Sequence, residues 1–419
     1  MTPTRRLKIR VTHPGSNHLA YHLVAALQGL GHDCDFWTGV FYWPESRVGH
    51  LLQRLPPRWA GRIERELKRR SHASVDPARV HLHPLPELIY VAAARYGLPL
   101  ARLGRVIAWR ERRFDDWICR GLNRDRPQVL IGHDASTLGA FRRAEALAVF
   151  KVLNQVIGQI RVGLETLREE AALVPEFADS LPVSPPPEVV EGCTAEALAA
   201  DRLLAGSEYV RDTLVQIGVD RARIDLIPYG VDCERFRPVP RANDGCFRIL
   251  FVGQLSQRKG IKYLLEAVRR LKLPNAELVL VGGVVGSGKG LAPYREHFRH
   301  VTHVPYHEVH ALYQQADLFV YPSLHEGSAF ATYEAMASGL PVIATPNTGA
   351  PIRDGEEGYV VPIRDVETLM GRIETLYREP ELRRELGRAA RVRATGFTWA
   401  DYRRRLAQAI ERGEVGAQT

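Results

Sequence analysis

Residues 248–271 read RILFVGQLSQRKGIKYLLEAVRRL, and this stretch decides the fold. Residues 248–252 form an apolar run of strand length, and Gly253 breaks it. Ile261, Leu264, Leu265, Val268 and Leu271 then recur at i, i+3, i+4, i+7 and i+10, the spacing of one helical face. Strand, glycine-bearing turn and helix are the first part of a βαβ unit, whose returning strand must run parallel. Further apolar runs at 278–281 and 318–321 supply such strands. A helix around 333–337, closed by Gly339 and Pro341, leads to another at 342–344.

The same alternation appears upstream. An apolar run at 7–11 is followed by His13-Pro14-Gly15-Ser16-Asn17, a helical pattern through Leu19, Leu23, Ala26, Leu27 and Leu30, the stop Gly31-His32-Asp33, and a strand at 34–38. Strands at 129–132, 149–153 and 202–205 alternate with helices at 137–148 and 209–217. Residues 39–128 read as irregular and arginine-rich, and PEFADSLPVSPPPEVVEG at 175–192 as too rich in proline for regular structure. A polar, proline-bearing segment at 237–245 reads as a linker. Thr398-Trp399-Ala400-Asp401 has the form of a capping box that starts a last helix, running to about residue 412. The expected fold class is α/β: two Rossmann-like domains facing across a cleft, with ligands at the carboxyl ends of their strands.

Length and composition agree. A chain of 419 residues is too long for one core, and 45% hydrophobic with 25% charged residues is ordinary globular composition. No apolar run reaches membrane-spanning length, and MTPTRRLKIRV lacks the apolar stretch of a signal peptide. A cytoplasmic location is expected, with the inner face of the membrane as the alternative. The five cysteines are scattered and never form CxxC, so they read as small buried hydrophobes, and no metal-ligating set is expected. The net charge of +9 favours an anionic partner. Of 57 basic residues only seven are lysine, so arginine excess is a weak sign of a binding patch and each lysine is worth separate reading.

Two stretches carry candidate chemistry. In residues 253–260, GQLSQRKG, Arg258 and Lys259 lie where a strand gives way to a helix, so free backbone N–H groups and two cations meet at one spot. A phosphate or diphosphate fits there; the alternative is a pair of solvated cap residues. In residues 321–341, YPSLHEGSAFATYEAMASGLP, Glu326 follows a strand and Glu334 lies inside the next helix among apolar neighbours. A carboxylate there needs hydrogen-bond partners. They could be the vicinal hydroxyls of a ribose or an arginine in a structural ion pair.

Together these stretches resemble the nucleotide-binding half of the GT-B glycosyltransferases, and within them the retaining enzymes of family 4. The resemblance runs over about 204–402. It rests on Ile227-Pro228-Tyr229-Gly230-Val231-Asp232, Phe251-Val252-Gly253, Arg258-Lys259-Gly260, Ala316-Asp317-Leu318-Phe319-Val320-Tyr321-Pro322-Ser323, Glu326-Gly327 and Glu334-Ala335-Met336-Ala337-Ser338-Gly339-Leu340-Pro341. It implies an acceptor-binding domain over 1–237, a donor-binding domain over 246–395, and a helix at 396–419 packing back on the first. It also implies a nucleoside-diphosphate sugar as donor substrate, no separate cofactor, no required metal, and a glycan or lipid-linked glycan as acceptor. Arg258 and Lys259 would meet the diphosphate, Glu334 the ribose and Glu326 the donor sugar. Gly253, Gly327, Ser328, Ala329 and Phe330 would line the donor. Gly15 would let the backbone approach the diphosphate, and His133 with Asp134 would face the acceptor. The departing phosphate oxygen would take the acceptor's proton on one face of the sugar. The sequence is read as lacking an Asp-x-Asp pair, so cationic side chains would offset the diphosphate. The sequence departs from the family at Gln254, where arginine is common, and at Ser328-Ala329-Phe330, where many members carry Phe-Gly.

Other features read as decoys. GVVGSGKG at 283–290 nearly spells a P-loop, but Gly290 stands where a magnesium-binding Ser or Thr belongs. His297, His300, His303, His307 and His310 recur without a common face. PRWAGRIERELKRR at 57–70 could form a basic amphipathic helix, either packed on the domain or lying on an anionic membrane. No interleaved aromatic and basic motif points to nucleic acid. The rival readings are a nucleotide-sugar epimerase or hydrolase of the same fold, and a catalytically silent binding subunit.

Overall fold

The computed structural model describes residues 6–416 apart from 16, 53, 55–62, 65–66, 97, 99 and 241–243, so the amphipathic segment at 57–70 lies largely outside the described residues. Two sheets organise the chain. The first contains β1 (Lys8–His13), β2 (Asp33–Thr38), β3 (Val80–Leu82), β4 (Val129–His133), β5 (Phe150–Gln155), β6 (Arg202–Ala205) and β7 (Ile224–Leu226), in spatial order β3-β2-β1-β4-β5-β6-β7. The second contains β8 (Phe247–Val252), β9 (Ala276–Val281), β10 (Arg299–Val301), β11 (Leu318–Tyr321), β12 (Val342–Ala344) and β13 (Gly358–Val360), in order β10-β9-β8-β11-β12-β13. Every pairing is parallel. The central strands read as unbroken apolar runs because helices cover both faces: β4, β11 and β12 are buried throughout.

The strand order reverses beside β1 in the first sheet and beside β8 in the second. Ligands of open parallel sheets bind outside the carboxyl ends at such a switch point. The segments singled out in the sequence follow the strands that flank it: Gly15 after β1, His133 at the end of β4, residues 253–260 after β8 and residues 321–334 after β11.

Two stretches are more regular than the sequence led us to expect. Residues 39–128 contain the helices Pro84–Arg95 and Leu100–Arg124. The second buries Phe114, Ile118 and Leu122 at four-residue spacing, a stripe masked in the sequence by the arginines around it. Residues 175–192 contain a 3-10 segment, Pro175–Ser180, and the start of the helix Pro187–Ala199. Pro175 and Pro187 fall at the first positions of these segments, where a missing N–H costs nothing, and Pro182 and Pro185 lie between them. Of the cysteines only Cys34 is buried; the other four are half-buried.

The last helix, Trp399–Gly416, opens with a capping box in which Thr398 N–H donates to Asp401 and Asp401 N–H to Thr398 Oγ1, at 3.1 and 3.2 Å. Trp399 stacks on His22, ring centroids 3.3 Å apart, so this helix lies against the first helix of the N-terminal half, His18–Gly29. Among the described residues no helix is long and apolar enough to cross a membrane.

Candidate active site

At the end of β8 the chain passes Gly253, makes a 3-10 turn at Gln257–Lys259 and enters the helix Ile261–Leu271 through Gly260. Gly260 has φ +69°, and a Cβ there would fall 1.9 Å from the carbonyl of Pro322. Only glycine lets this turn close on the segment after β11. That closeness assembles the first part of the site. Arg258 donates to the carbonyl of His325 at 2.8 Å and to Glu326 at 3.2 Å, and Lys259 pairs with the same Glu326 carboxylate. Two cations shared by one acid leave a net positive charge suited to a diphosphate. Burial pushes the Arg258 guanidinium below its usual range. It pushes the Lys259 ammonium far lower, with the neighbouring Arg258 as second cause.

Glu334, one helix further, accepts a hydrogen bond from Tyr313 at 2.7 Å and another from Tyr306. Burial raises its carboxyl to about 7 against the pull of these hydroxyls and of the Arg235 charge. The partners of this buried acid are therefore tyrosines, where the sequence left open an arginine or a ligand. Tyr321 joins the two parts. The Lys259 ammonium lies 5.2 Å from its ring centre, and its buried phenol feels both Arg258 and Glu334. The cation pair and the Glu334 carboxylate thus both border Tyr321.

The segment between them is placed differently. A Cβ on Gly327 would lie 1.8 Å from the carbonyl of Val156 in the other half, and one on Gly253 would lie 2.8 Å from the Tyr321 hydroxyl. Ser328 Oγ bonds Tyr333 at 2.7 Å and the Gly349 carbonyl at 3.2 Å. Ala329 is buried, and Phe330 stacks on Tyr229 with centroids 4.7 Å apart. Their side chains are committed to packing. What 328–330 can offer a ligand is the first turn of the helix Phe330–Ala337, which has no side-chain cap.

On the N-terminal wall His133 is buried at the end of β4. Its Nδ1 is 2.9 Å from the Thr12 carbonyl, an acceptor only, so Nδ1 carries the hydrogen and Nε2 accepts from Asn154 at 3.0 Å. Burial lowers its pKa to about 4, and the ring is neutral. Both nitrogens are used within the domain, so a free ring nitrogen is not presented to the cleft. Asp134 makes long contacts, 3.4 Å from Val156 N–H and 3.5 Å from Gln155, and burial raises its carboxyl to about 6. His13 Nδ1 is 2.8 Å from the Gly15 carbonyl, an acceptor only, so this nitrogen donates to Gly15. Beside it stand Arg110 and Glu87, each 3.4 Å from where a Cβ would be. Neighbouring Glu111 is raised to about 7 by burial, against the pull of Arg110, with which it is paired.

Several functional contacts have no counterpart in the sequence reading, and they join the halves. His325 is wedged against Gly158 and Gly163, where a Cβ would lie 2.8 and 2.3 Å from its ring, and it bonds the Tyr209 hydroxyl at 2.7 Å. Gly158 N–H donates to the Glu326 carbonyl at 3.0 Å, and Ser207 Oγ to that of Gly327 at 2.6 Å. Glu170, fully buried on the N-terminal side, accepts from Gln257 at 2.6 Å, Tyr263 at 2.7 Å and Arg364 at 2.7 Å on the other. The signal was present: Gly163, Leu164, Leu167 and Glu170 share the buried face of the helix Ile160–Leu173, a carboxylate in an apolar stripe.

The decoys fall elsewhere. The near P-loop leads into a 3-10 segment, Lys289–His297, with Lys289 exposed, so no α-helix N-terminus faces it. Among the described residues no group of three or more His, Cys, Asp or Glu side chains is placed to hold a metal ion. The expectation of no Asp-x-Asp pair is corrected: Asp33 and Asp35 form one in β2, and both acids pair with Arg79.

Residues 232–393 match the family described as Glycosyl transferases group 1. The chain is 36% identical over 191 residues to a putative glycosyltransferase, EpsD, of Bacillus subtilis (strain 168), covering 41% of this chain and 50% of that protein. It is 31% identical over 271 residues to a D-inositol 3-phosphate glycosyltransferase of Corynebacterium kroppenstedtii, covering 57% of this chain and 60% of that one. The aligned part spans about half to three-fifths of these relatives. Among solved structures, the sucrose-phosphate synthase of Thermosynechococcus elongatus superposes with a TM-score of 0.61 at 18% identity, covering 99% of both chains. Anabaena Alr3699/HepE in complex with UDP-glucose gives 0.59 at 14% identity, covering 97% of this chain and 100% of that one. The fold is GT-B.

Proposed function

We propose that the chain is a retaining glycosyltransferase that moves a sugar from a nucleoside-diphosphate donor to a glycan or lipid-linked glycan acceptor in the cleft. The observation that carries this reading is the gathering of Arg258, Lys259, Glu326 and Glu334 around Tyr321 at the β8/β11 switch point. Arg258 and Lys259 meet the diphosphate and stabilise the charge that grows on it as the glycosidic bond breaks. In a buried site such preorganised cations count for more than in water. Glu334, held by Tyr313 and Tyr306, takes the two ribose hydroxyls. Glu326, held between the cations, stands nearest the transferred sugar. The acceptor hydroxyl attacks from the face the diphosphate leaves, and its proton passes to the departing phosphate oxygen, so the anomeric configuration is kept and no protein base is required. His133 then acts from behind, fixing the end of β4. The group 1 match over the donor half and the UDP-glucose complex of a similar fold support the donor class.

The test is incubation with a panel of UDP-, GDP- and ADP-sugars, scored for nucleotide release with and without a mixture of glycan acceptors, and NMR of the product's anomeric proton. Acceptor-dependent release with retained configuration is expected. Absence of release from every donor would overturn the reading, and inversion would overturn the same-face step.

A further inference from the structure

Residues 325–327 include the acid that pairs with both cations, yet they find partners in the opposite half. The Glu326 carbonyl accepts from Gly158 N–H at 3.0 Å, and the Gly327 carbonyl from Ser207 Oγ at 2.6 Å. The His325 side chain is held by the same half. Its Nδ1 bonds the Tyr209 hydroxyl at 2.7 Å, and burial, with Arg258 as second cause, lowers its pKa to about 4, so the ring is neutral.

Two glycines make room for this ring: Gly158, just before the helix Ile160–Leu173, and Gly163 within it. A Cβ on Gly163 would lie 2.3 Å from Nε2, 2.5 Å from Cε1 and 2.6 Å from Cδ2 of His325, so the imidazole occupies the place where any other residue carries its first side-chain carbon. Glycine weakens a helix relative to alanine. Gly163 has helical backbone without a positive φ, so it is the ring, and not the path of the chain, that calls for glycine there.

Toward its own half His325 is tied to a cation. Arg258 Nη1 donates to the His325 carbonyl at 2.8 Å and to Glu326 Oε2 at 3.2 Å. A shift of the ring therefore moves the carbonyl that Arg258 holds and, next along the chain, the backbone of Glu326. A side chain that only packed would need to fill the notch, whereas a bonded imidazole also fixes a direction.

We propose that His325 is a positioning residue: docked in the notch of Gly158 and Gly163 on the N-terminal half, it sets the Glu326 carboxylate on Arg258 and Lys259. The halves then complete this cluster together. The corollary that Glu326 so placed serves sugar transfer rests on the glycosyltransferase reading; the positioning does not.

Lys259 reports on the acid. It is one of only seven lysines and is buried beside the Glu326 carboxylate, so acylation of each lysine by an N-hydroxysuccinimide ester, followed by mass spectrometry, reads that pair directly. Glu326→Gln should raise the labelling rate of Lys259 at least about tenfold, because an amine without its ion pair is more often neutral. His325→Ala should do the same with the other six rates unchanged, and should add less than about twofold in the Glu326→Gln background, since it acts through that acid. Gly163→Ala, which puts a methyl where the ring sits, should raise the rate about tenfold in the unaltered chain and less than about twofold in the His325→Ala background. His325→Asn keeps a group for Tyr209 and should return the rate to within about threefold of the unaltered chain.

Unchanged Lys259 labelling in His325→Ala, or a Gly163→Ala effect of equal size with and without the ring, overturns the proposal. So does a rise common to all seven lysines in both His325→Ala and Gly163→Ala, because the ring would then hold the fold and not the acid. Where only His325→Ala loosens the whole chain, Gly163→Ala decides. Nucleotide release reads the corollary separately. If a UDP-, GDP- or ADP-sugar is turned over, His325→Ala should lower kcat at least about tenfold while nucleotide affinity stays within about threefold, and an unchanged kcat overturns the corollary. If the unaltered chain turns over none of them, the transfer reading falls and Lys259 labelling still decides the positioning.

Discussion

Set side by side, the walls of the crevice share a strand order and differ in the charges they bury. Each presents the loops that follow the strands at its switch point. The C-terminal wall buries cations, Arg258 and Lys259, both pressed below their ordinary range by desolvation. The N-terminal wall buries acids whose carboxyls are pushed up: Asp134 to about 6 and Glu111 to about 7. In both the charged form is penalised. An anion suits the first wall, and groups that donate hydrogen bonds, such as sugar hydroxyls, suit the second. The fold fixes where a ligand lies, and the loops decide what it is.

Glu170 is the exception that joins the walls, since this N-terminal acid takes its donors from the C-terminal half. The largest effect is therefore expected from Glu170→Ala, which leaves Arg364, Tyr263 and Gln257 facing an unfilled buried position. Removing one partner of such a network costs about 3–5 kcal/mol. Urea unfolding should report that loss, with Glu170→Gln intermediate. A loss below about 1 kcal/mol would mean that the halves are held together by apolar packing instead.

The next largest effect separates the walls. Lys259→Ala should weaken binding of a nucleoside diphosphate by about a hundredfold, roughly 2–3 kcal/mol for a buried charged hydrogen bond. Glu111→Gln, on the opposite wall, should leave that affinity within about twofold while altering the acceptor dependence of nucleotide release. Isothermal titration of both variants reads the difference. Equal losses would show that the walls do not divide the substrates.

How much of this was legible follows the same division. In the C-terminal half the candidate residues could be singled out because they lie within two short segments, 253–260 and 321–334, each following a strand. The need of Glu334 for partners was also readable from its apolar neighbours. Tyr313 and Tyr306, which meet it, approach from 21 and 28 positions upstream and were not. On the N-terminal wall Glu87, Arg110 and Glu111 come from helices in a region that read as irregular. The apolar residues of Pro84–Arg95 face outward, so they matched no core pattern, and arginines interrupt the buried stripe of Leu100–Arg124. Spacing alone places a residue on a helical face; it does not say whether that face turns to the core.

The smallest effect concerns pH, and it probes whether Glu334 serves the donor. Burial holds its carboxyl at about 7. Ribose hydroxyls donate hydrogen bonds and so favour the ionised form, which means that binding expels a proton. Affinity should then rise as pH increases through about 7 and level off above it, by about fivefold or roughly 1 kcal/mol between pH 6 and 8. Lys259 works in the other direction: burial lowers its pKa, so affinity should fall again at alkaline pH, beginning below the usual lysine range. Glu334→Gln keeps an oxygen acceptor but cannot ionise. It should bind the nucleotide about fivefold more weakly at pH 8 and lose the acid limb while keeping the alkaline one. If the variant retains the full acid limb, the proton belongs to another group and the carboxylate does not hold the ribose, even with the cation cluster where it is.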